Sequence, residues 1–151
     1  MRITKASHKG LNIIKKYESL RLNPYLCPAG VPTVGWGSTF YEDGTRVRLS
    51  DASITEERAQ ELLDHIVSIF EKTVDSYTRD DINQNQFDAL VCFAYNVGTS
   101  NLKSSTLLKK VNKDPNDKTI ATEFTKWNHS DGKVEPGLTK RRKEEANLYF
   151  L

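Results

Sequence analysis

The sequence has few of the residues that build metal centres and disulfide frameworks. It holds three isolated histidines and two cysteines, Cys27 and Cys92, among 151 residues. Neither their number nor their spacing suits a metal site or a disulfide framework. The nucleotide-binding P-loop and the serine-nucleophile G-x-S-x-G motif are also missing. We therefore expect no bound metal and no cofactor.

Long apolar runs are missing as well. The longest uncharged apolar stretches are too short to span a bilayer, so stable membrane insertion is not expected. The first residues, MRITKASHKGLNIIKKYE, alternate basic and apolar side chains and do not form the continuous apolar core of a secretory signal. A target outside the cytoplasm would therefore require a separate export route.

The overall charge is nearly balanced. A net charge of +2 is too small for the strongly basic face of a nucleic-acid-binding domain, so no nucleic acid partner is expected. Residues 1–21 nevertheless hold six basic residues and one acidic residue. A basic end suits an anionic polymer such as a cell wall, although a solvated helix face explains the same pattern.

Hydrophobic periodicity predicts one α+β domain that is mostly helical. A helical stripe covers residues 5–18, and residues 23 to about 47 predict a small sheet with turns at 28–30 and 42–44. Ser53 with Glu56 predicts a capping box at the start of a helix roughly 30 Å long. Further helices are predicted from Asn83 to Gly98 and over 104–112, 118–128 and 139–149. Eight side chains of the last three helices are expected to face inward: Leu107, Leu108, Val111, Ile120, Phe124, Trp127, Leu148 and Phe150.

Polar residues flank the predicted hairpin in the stretch YESLRLNPYLCPAGVPTVGWGS, residues 17–38. Glu18 closes the first helix, where the partial negative charge of the helix end favours a protonated carboxyl that can donate its proton. Thr33 lies on the predicted strand, and its hydroxyl can orient a water molecule. An acid at a helix end facing a polar strand is the arrangement of an inverting glycosidase. An ordinary helix followed by a hairpin accounts for the same spacing.

Four features of the sequence are similar to phage-type lysozymes of glycoside hydrolase family 24. Glu18, Cys27 and Thr33 match the family's spacing Glu-x8-Asp/Cys-x5-Thr. The segments TVGWGST, QNQFDALVCFAYNVG and GLTKRRKEEANLYF resemble three blocks of the family in the same order. The resemblance extends from about residue 10 to 150, essentially the whole chain.

This resemblance implies a single lysozyme domain with a two-lobed fold. Residues 1–18 with 80–151 would form a helical lobe, about 19–50 a small β lobe, and about 54–78 the helix joining them. The implied activity is that of a muramidase, which hydrolyses the β-1,4 bond between N-acetylmuramic acid and N-acetylglucosamine in peptidoglycan and lyses the host bacterium. The enzyme would be a monomer made in the host cytoplasm without a signal peptide.

The resemblance also implies roles for individual residues. Glu18 would be the general acid, and Thr33 with the residue at position 27 would hold the attacking water. Three further positions are candidate contacts to the sugar: Tyr95, Asn96 and Thr106. Two positions are candidates to pair with Glu18: Arg141 and Arg142.

Two residues depart from the pattern common among relatives. Cys27 replaces an aspartate found in many of them, and a thiol with an unperturbed pKa of about 8.5 is a poor general base at pH 7. Ser38 stands where relatives usually have a histidine. The Cys27 departure leaves room for a catalytically silent peptidoglycan-binding module. A nucleic-acid or membrane-surface protein that uses the basic N-terminal helix and the KRRK run at 140–143 is a third alternative.

Overall fold

Helices and short strands alternate with turns along the whole of the computed structural model, which describes residues 2–151. In chain order the elements are α1 (His8–Glu18), β1 (Arg21–Leu26), β2 (Pro32–Gly35), α2 (Glu56–Tyr77), α3 (Gln84–Val97), α4 (Thr99–Ser104), α5 (Thr106–Lys113), α6 (Ile120–Thr125), β3 (His129–Ser130), β4 (Lys133–Val134) and α7 (Pro136–Tyr149). The predicted α+β class with mostly helical content is confirmed. No helix of the described part is both long and apolar enough to cross a bilayer.

The chain divides into two compact units. The unit Ile14–Ile69, called here the β unit, contains the β1–β2 sheet. The second, called here the helical unit, comprises Phe70–Leu151 with the chain up to Ile13 and contains α3 to α7. The lobe boundaries implied by the family resemblance stay a prediction.

In the β unit, an antiparallel hairpin packs beside a small apolar core. Tyr25 pairs with Thr33 across β1 and β2. The core cluster contains Val34, Val47 and Leu62, each at most 3% exposed. Strand β2 approaches α2 closely, because a Cβ atom added to Gly35 would lie 3.6 Å from the Cβ of Ala59. The strand end at Gly35 also has a φ of +69°, a conformation that favours glycine.

In the helical unit, aromatic side chains form the centre of the packing around α3. The ring of Phe93 meets those of Phe124 and Trp127 edge-on, with centroids 5.6 Å apart in each case. The predicted start of α3 is confirmed, since Asn83 and Gln86 form a capping box. Gly98 ends α3, as expected, with its N–H donating to the carbonyl of Ala94.

The predicted starts of α1, α2, α5, α6 and α7 are each wrong by two or three residues, and contacts at the first two give the reason. Helix α1 begins at His8 rather than residue 5, because the N–H and hydroxyl of Ser7 both donate to Asp88. At the start of α2 the hydroxyl of Thr55, not that of Ser53, accepts the N–H of Arg58. A side-chain oxygen that accepts from the third helical residue acts as the N-cap. The N-cap therefore lies two positions after the predicted one, and Arg58 stands where a capping box would have Glu or Gln.

The C-terminal half also differs in detail from the sequence pattern. Helix α4 and the two-residue strands β3 and β4 were not predicted, and periodicity over so few residues is too weak to detect. Of the eight side chains expected to face inward, Trp127 and Phe150 are half-buried. Tyr149, which is 1% exposed, occupies the interior next to Phe150 instead.

Candidate active site

Helix α1 ends at Glu18, as predicted, and the chain then turns sharply into β1. Ser19 produces this turn with a φ of +56°, in the left-handed region. That conformation costs a residue other than glycine about 1 kcal/mol, so the packing of the surroundings must hold it. Glu18 is half-buried at the helix end.

Lys15 attaches the last turn of α1 to the rest of the β unit. Its Nζ atom lies 4.5 Å from the centroid of the Trp36 ring, a cation–π contact. The same atom donates to Oε1 of Gln60 on α2. These contacts hold the helix end that carries Glu18 next to the turn that follows β2.

Cys27 and Thr33 lie on the β1–β2 hairpin of the same unit. Cys27 opens the connecting loop, where its N–H donates to the carbonyl of Val31 at 3.1 Å and its carbonyl accepts the N–H of Gly30 at 2.8 Å. Since Cys27 faces Val31 across the hairpin, Thr33 is its diagonal neighbour two residues further along β2, on the same face. The structure therefore brings these two predicted residues together.

The environment of Cys27 favours its thiolate. The pKa of the thiol is lowered, chiefly by a hydrogen bond from the backbone of Val31, with further contributions from the backbone of Ala29 and the side chain of Thr33. The Thr33 hydroxyl also donates to the carbonyl of Val31 at 2.8 Å and is only 3% exposed. A hydroxyl has one proton. The hydroxyl of Thr33 can therefore donate a hydrogen bond to only one of three acceptors at a time: the carbonyl of Val31, the thiolate of Cys27 or a substrate water.

Ser38, at the position where a histidine is common, is buried beside the strand that carries Thr33. Its backbone exchanges two hydrogen bonds of 2.9 Å with Val34. Its hydroxyl is buried and has no hydrogen-bond partner among the described residues. Ser38 thus forms hydrogen bonds through its backbone, and its side chain, where a histidine is common, forms none within the described residues.

In the helical unit, a buried cluster joins α3 to α7. Nη2 of Arg142 donates to Oδ1 of Asn96 at 2.8 Å, and its guanidinium lies 5.1 Å from the ring centroid of Phe93. Glu145 contacts both arginines, with Oε2 3.2 Å from Nε of Arg141. The sequence analysis missed Glu145, although its spacing of three and four residues from the arginines is the spacing of helical ion pairs.

Burial sets the electrostatics of this cluster. It raises the pKa of Glu145 to about 7, even though both guanidinium groups favour the carboxylate. Burial also lowers the pKa of Arg142, against the attraction of Glu145. The expected pairing of Arg141 or Arg142 with Glu18 stays a prediction.

The predicted sugar contacts of the helical unit occupy different surroundings. Asn96 lines an open cavity of about 560 Å³, and Thr106 lines another of about 410 Å³. Both cavities are also lined by Lys126 and Trp127, which the sequence analysis did not identify as site residues. Tyr95 packs against Phe70 with ring centroids 5.4 Å apart. A half-exposed tryptophan beside amide and hydroxyl groups can bind a sugar ring and its substituents.

Neither unit brings metal ligands together. Within residues 2–151, no group of three or more His, Cys, Asp or Glu side chains could hold a metal ion. Cys92, as expected, is a fully buried thiol, and its sulfur lies 3.0 Å from the carbonyl oxygen of Gly10. The predicted site residues of the β unit supply a carboxyl group, a thiol and a hydroxyl.

Comparison with known proteins identifies relatives along nearly the whole chain. The pattern of the family described as phage lysozyme matches residues 15–145. The endolysin of Bacillus phage B103 is 45% identical over 145 residues, which cover 95% of this chain and 53% of that protein. The endolysin of Salmonella phage P22 is 35% identical over 140 residues, 93% of this chain and 94% of that protein.

A solved structure has a similar backbone. The endolysin of Escherichia coli O157:H7 phage FAHEc1 superposes with a TM-score of 0.88 at 35% identity, covering 99% of this chain and 96% of that one. This likeness confirms the predicted lysozyme fold. The chain spans about half the length of the Bacillus phage endolysins that it matches, 53% and 54%.

Proposed function

The chain belongs to the phage lysozyme family, and from this membership we propose that it is a muramidase that degrades peptidoglycan. Its reaction is hydrolysis of the β-1,4 bond between N-acetylmuramic acid and N-acetylglucosamine. The observation that carries the proposal is the placement of an acid at the end of α1 in the same unit as a paired thiol and hydroxyl on the adjoining hairpin. A glycosidase requires a proton donor and a group that holds water on the other side of the sugar.

Glu18 is the general acid in this proposal. The glycosidic oxygen needs a proton as it departs, because positive charge develops on the sugar in the transition state. Cys27 and Thr33 position the attacking water. The hydroxyl of Thr33 can release Val31 to bind that water, and a thiolate at Cys27 can accept one of its hydrogens.

The helical unit supplies further contacts in the same proposal. Asn96 and Thr106 line cavities that contain Trp127, which supports their role as contacts to the substrate. Tyr95 is proposed as a third contact. We also propose that the protein acts as a monomer on the cell wall of the host bacterium, after release from the cytoplasm, and binds no nucleic acid.

The test is hydrolysis of purified peptidoglycan by the parent protein and by Glu18→Gln. Glutamine keeps the shape of the side chain but has no proton to transfer, so turbidity loss and release of reducing ends should fall at least about 100-fold. Glu57→Gln, at an exposed position of α2, is the matched control and should retain parental activity. Mass analysis of the soluble sugars should give hydrated reducing ends rather than anhydro sugars.

Two outcomes would contradict parts of the proposal. Activity of Glu18→Gln within a few-fold of the parent would remove Glu18 from the mechanism. Binding to the wall without clearing by the folded parent protein would instead identify a silent binding module. Thr33→Val separates the role of the hydroxyl from that of the acid: turnover should fall while binding to the wall persists.

A further inference from the structure

Two arginines of the β unit differ from the other arginines of the chain. The chain has eight arginines. Six of them have an acidic or aromatic partner: Arg2 with Asp75, Arg21 with Tyr25, Arg58 with Glu42, Arg79 with Asp81, and Arg141 and Arg142 with Glu145. Within residues 2–151, Arg46 and Arg48 form neither a close ion pair nor a ring contact, and both are exposed, although the charge of Arg48 helps to lower the pKa of Asp51.

Both unpaired arginines line the same open cavity, of about 720 Å³. Val47 between them is 3% exposed and belongs to the core. In extended chain, side chains two residues apart point to the same side, so the burial of Val47 directs Arg46 and Arg48 outward together. The remaining lining comes from Pro32, Tyr41, Thr45, Val47 and Asp51.

The polar groups beside the arginines are already hydrogen-bonded within the protein. Asp51 accepts the Tyr41 hydroxyl at 2.6 Å and the N–H of Arg48 at 2.9 Å. The hydroxyl of Thr45 donates to Asp43 at 2.7 Å. Two guanidinium groups and one carboxylate give the lining a net charge of +1, which suits a ligand group with a single negative charge.

A second cavity in the same part of the β unit lacks this cationic character. It shares Tyr41, Thr45 and Asp51 with the first but is otherwise lined by Glu42, Asp43 and Arg58. Arg58 is neutralised there by Glu42, with two nitrogen–oxygen distances of 2.6 and 2.7 Å. Of these two cavities, the one lined by Arg46 and Arg48 therefore carries the positive charge that no close ion pair among the described residues offsets.

We propose that Arg46 and Arg48 bind a carboxylate of the peptidoglycan peptide stem. The proposal rests on the function proposed above, since peptidoglycan carries such a stem on its muramic acid residues. A planar guanidinium matches a carboxylate with two parallel hydrogen bonds. Pro32 lies in the cavity wall and comes directly before Thr33 on β2. Because successive side chains of a strand point to opposite faces, Pro32 and Thr33 lie on opposite faces of the strand. The ligand is therefore a flexible branch of the polymer rather than the sugar that undergoes hydrolysis.

The test measures binding to peptidoglycan purified free of teichoic acid, with every protein in a Glu18→Gln background so that the wall is not digested. Co-sedimentation should show that Arg46→Gln/Arg48→Gln binds about tenfold more weakly, as expected for the loss of two exposed ion pairs. Lys109→Gln/Lys113→Gln, which removes the same charge from exposed positions of α5, should bind as tightly as the background protein. Arg46→Lys/Arg48→Lys keeps the charge without the planar fork and should have intermediate affinity.

The chemistry of the ligand is tested by converting the carboxylates of the wall to amides. On amidated peptidoglycan the arginine substitutions should have no further effect. Equal binding of the background and Arg46→Gln/Arg48→Gln proteins to the unmodified polymer would overturn the proposal, as would an undiminished arginine effect after amidation. An arginine effect seen only with walls that carry teichoic acid would identify a phosphodiester as the ligand and also overturn it. Failure of the folded parent protein to clear the wall would contradict the proposed function alone, because the comparison of arginine variants measures binding in a background that is not meant to hydrolyse the polymer.

Discussion

The Nε atom of Arg142 lies 2.8 Å from Oε1 of Glu145, and both side chains are fully buried. Burial favours the neutral acid, whereas Arg142 and Arg141 favour the carboxylate, and the balance raises the pKa of Glu145 to about 7. An acid whose pKa is higher in the folded state is stabilising when protonated. The stabilisation by Glu145 is therefore complete below the pKa that this acid has in the unfolded chain, near 4.5. It is lost as the pH rises to about 7.

Arg142→Met should destabilise the protein more at pH 8 than at pH 5. At pH 5 Glu145 is largely protonated and loses little when the charge of Arg142 is removed. At pH 8 the folded protein must either hold a poorly compensated carboxylate or keep the acid protonated, and both cost free energy. We expect a loss of about 3 kcal/mol in the free energy of unfolding at pH 8 and a smaller loss at pH 5, measured by urea denaturation. Arg79→Met, which breaks an exposed pair with Asp81, is the control and should cost less than Arg142→Met at pH 8, with little difference between the two pH values. Equal losses for Arg142→Met at the two pH values would contradict this account.

Substitutions at Cys27 should separate water positioning from scaffolding. Cys27→Asp should retain activity, because a carboxylate in the same place can hold the same water, whereas Cys27→Ala should lower turnover. The pKa of the thiol is lowered by the backbone of Val31, so activity that depends on the thiolate rises as the pH passes through this lowered value. Cys27→Ser, whose hydroxyl does not ionise in this range, should lose that rise. Equal turnover for alanine and cysteine at every pH would assign Cys27 to the scaffold.

The Glu42–Arg58 pair should stabilise the β unit in neutral solution but not in strong acid. The hydrogen bonds from Arg58 lower the pKa of Glu42 to about 2. A carboxyl whose pKa is lower in the folded state stabilises the protein above its unfolded value, and this contribution is lost as the pH falls towards 2. Because the two side chains are more than a third exposed, solvent screening keeps the effect of Glu42→Gln below about 1 kcal/mol at pH 7.

Thermal unfolding between pH 2 and pH 7 measures this difference. The melting temperatures of Glu42→Gln and the parent should converge as the pH approaches 2. Glu57→Gln is a suitable control, since Glu57 has no ion-pair partner among the described residues and lies on α2, the helix that also carries Arg58. A gap between Glu42→Gln and the parent that is independent of pH would mean that the pair does not act through its charge.

Asp88→Ala should destabilise the helical unit by about 2 to 3 kcal/mol. Asp88 is fully buried and accepts hydrogen bonds from the N–H and hydroxyl of Ser7, the N–H of Gly10 and the side chain of Gln84. Alanine leaves the donors of Ser7 and Gly10 without this acceptor at the start of α1. Asp80→Ala, at a position with only one long contact to Arg2, should change the free energy of unfolding by about 0.5 kcal/mol or less. A similar small effect for Asp88→Ala in urea denaturation would contradict the capping role.

The accuracy of sequence-based prediction depended on how local the physical signal is. The end of α1 at Glu18 and the Asn83–Gln86 capping box were predicted correctly, because each is encoded within a few neighbouring residues. The start of α1 was not, because it is set by Asp88, far along the chain. A cap supplied by a distant side chain leaves no periodic pattern near the helix that it begins.

In the candidate site, too, sequence patterns indicated features encoded by nearby residues and missed those that depend on distant packing. Spacing and family resemblance identified Cys27 and Thr33, which the structure places on one face of the hairpin. The joint contact of Glu145 with two arginines was missed because RRKEE is also typical of a solvated helix face. Only burial distinguishes these alternatives, and burial depends on which side of α7 packs against α3.

The tight hairpin loop explains the spacing of the family pattern, because the number of residues after the loop decides which face of β2 carries Thr33. Cys27 and Val31 face each other at the loop, and Thr33 follows Val31 by two positions, with Pro32 between them. This even offset puts Val31 and Thr33 on the same face of the strand. Deletion of one residue between Val31 and Thr33 would exchange the faces of β2, directing the threonine into the core and Val34 towards water. Longer or shorter loops before Val31 leave this order intact if the hairpin closes again at Cys27. Natural variation in this segment is thus expected to add or remove residues at the loop tip, between Cys27 and Val31, while Thr33 stays two positions after Val31.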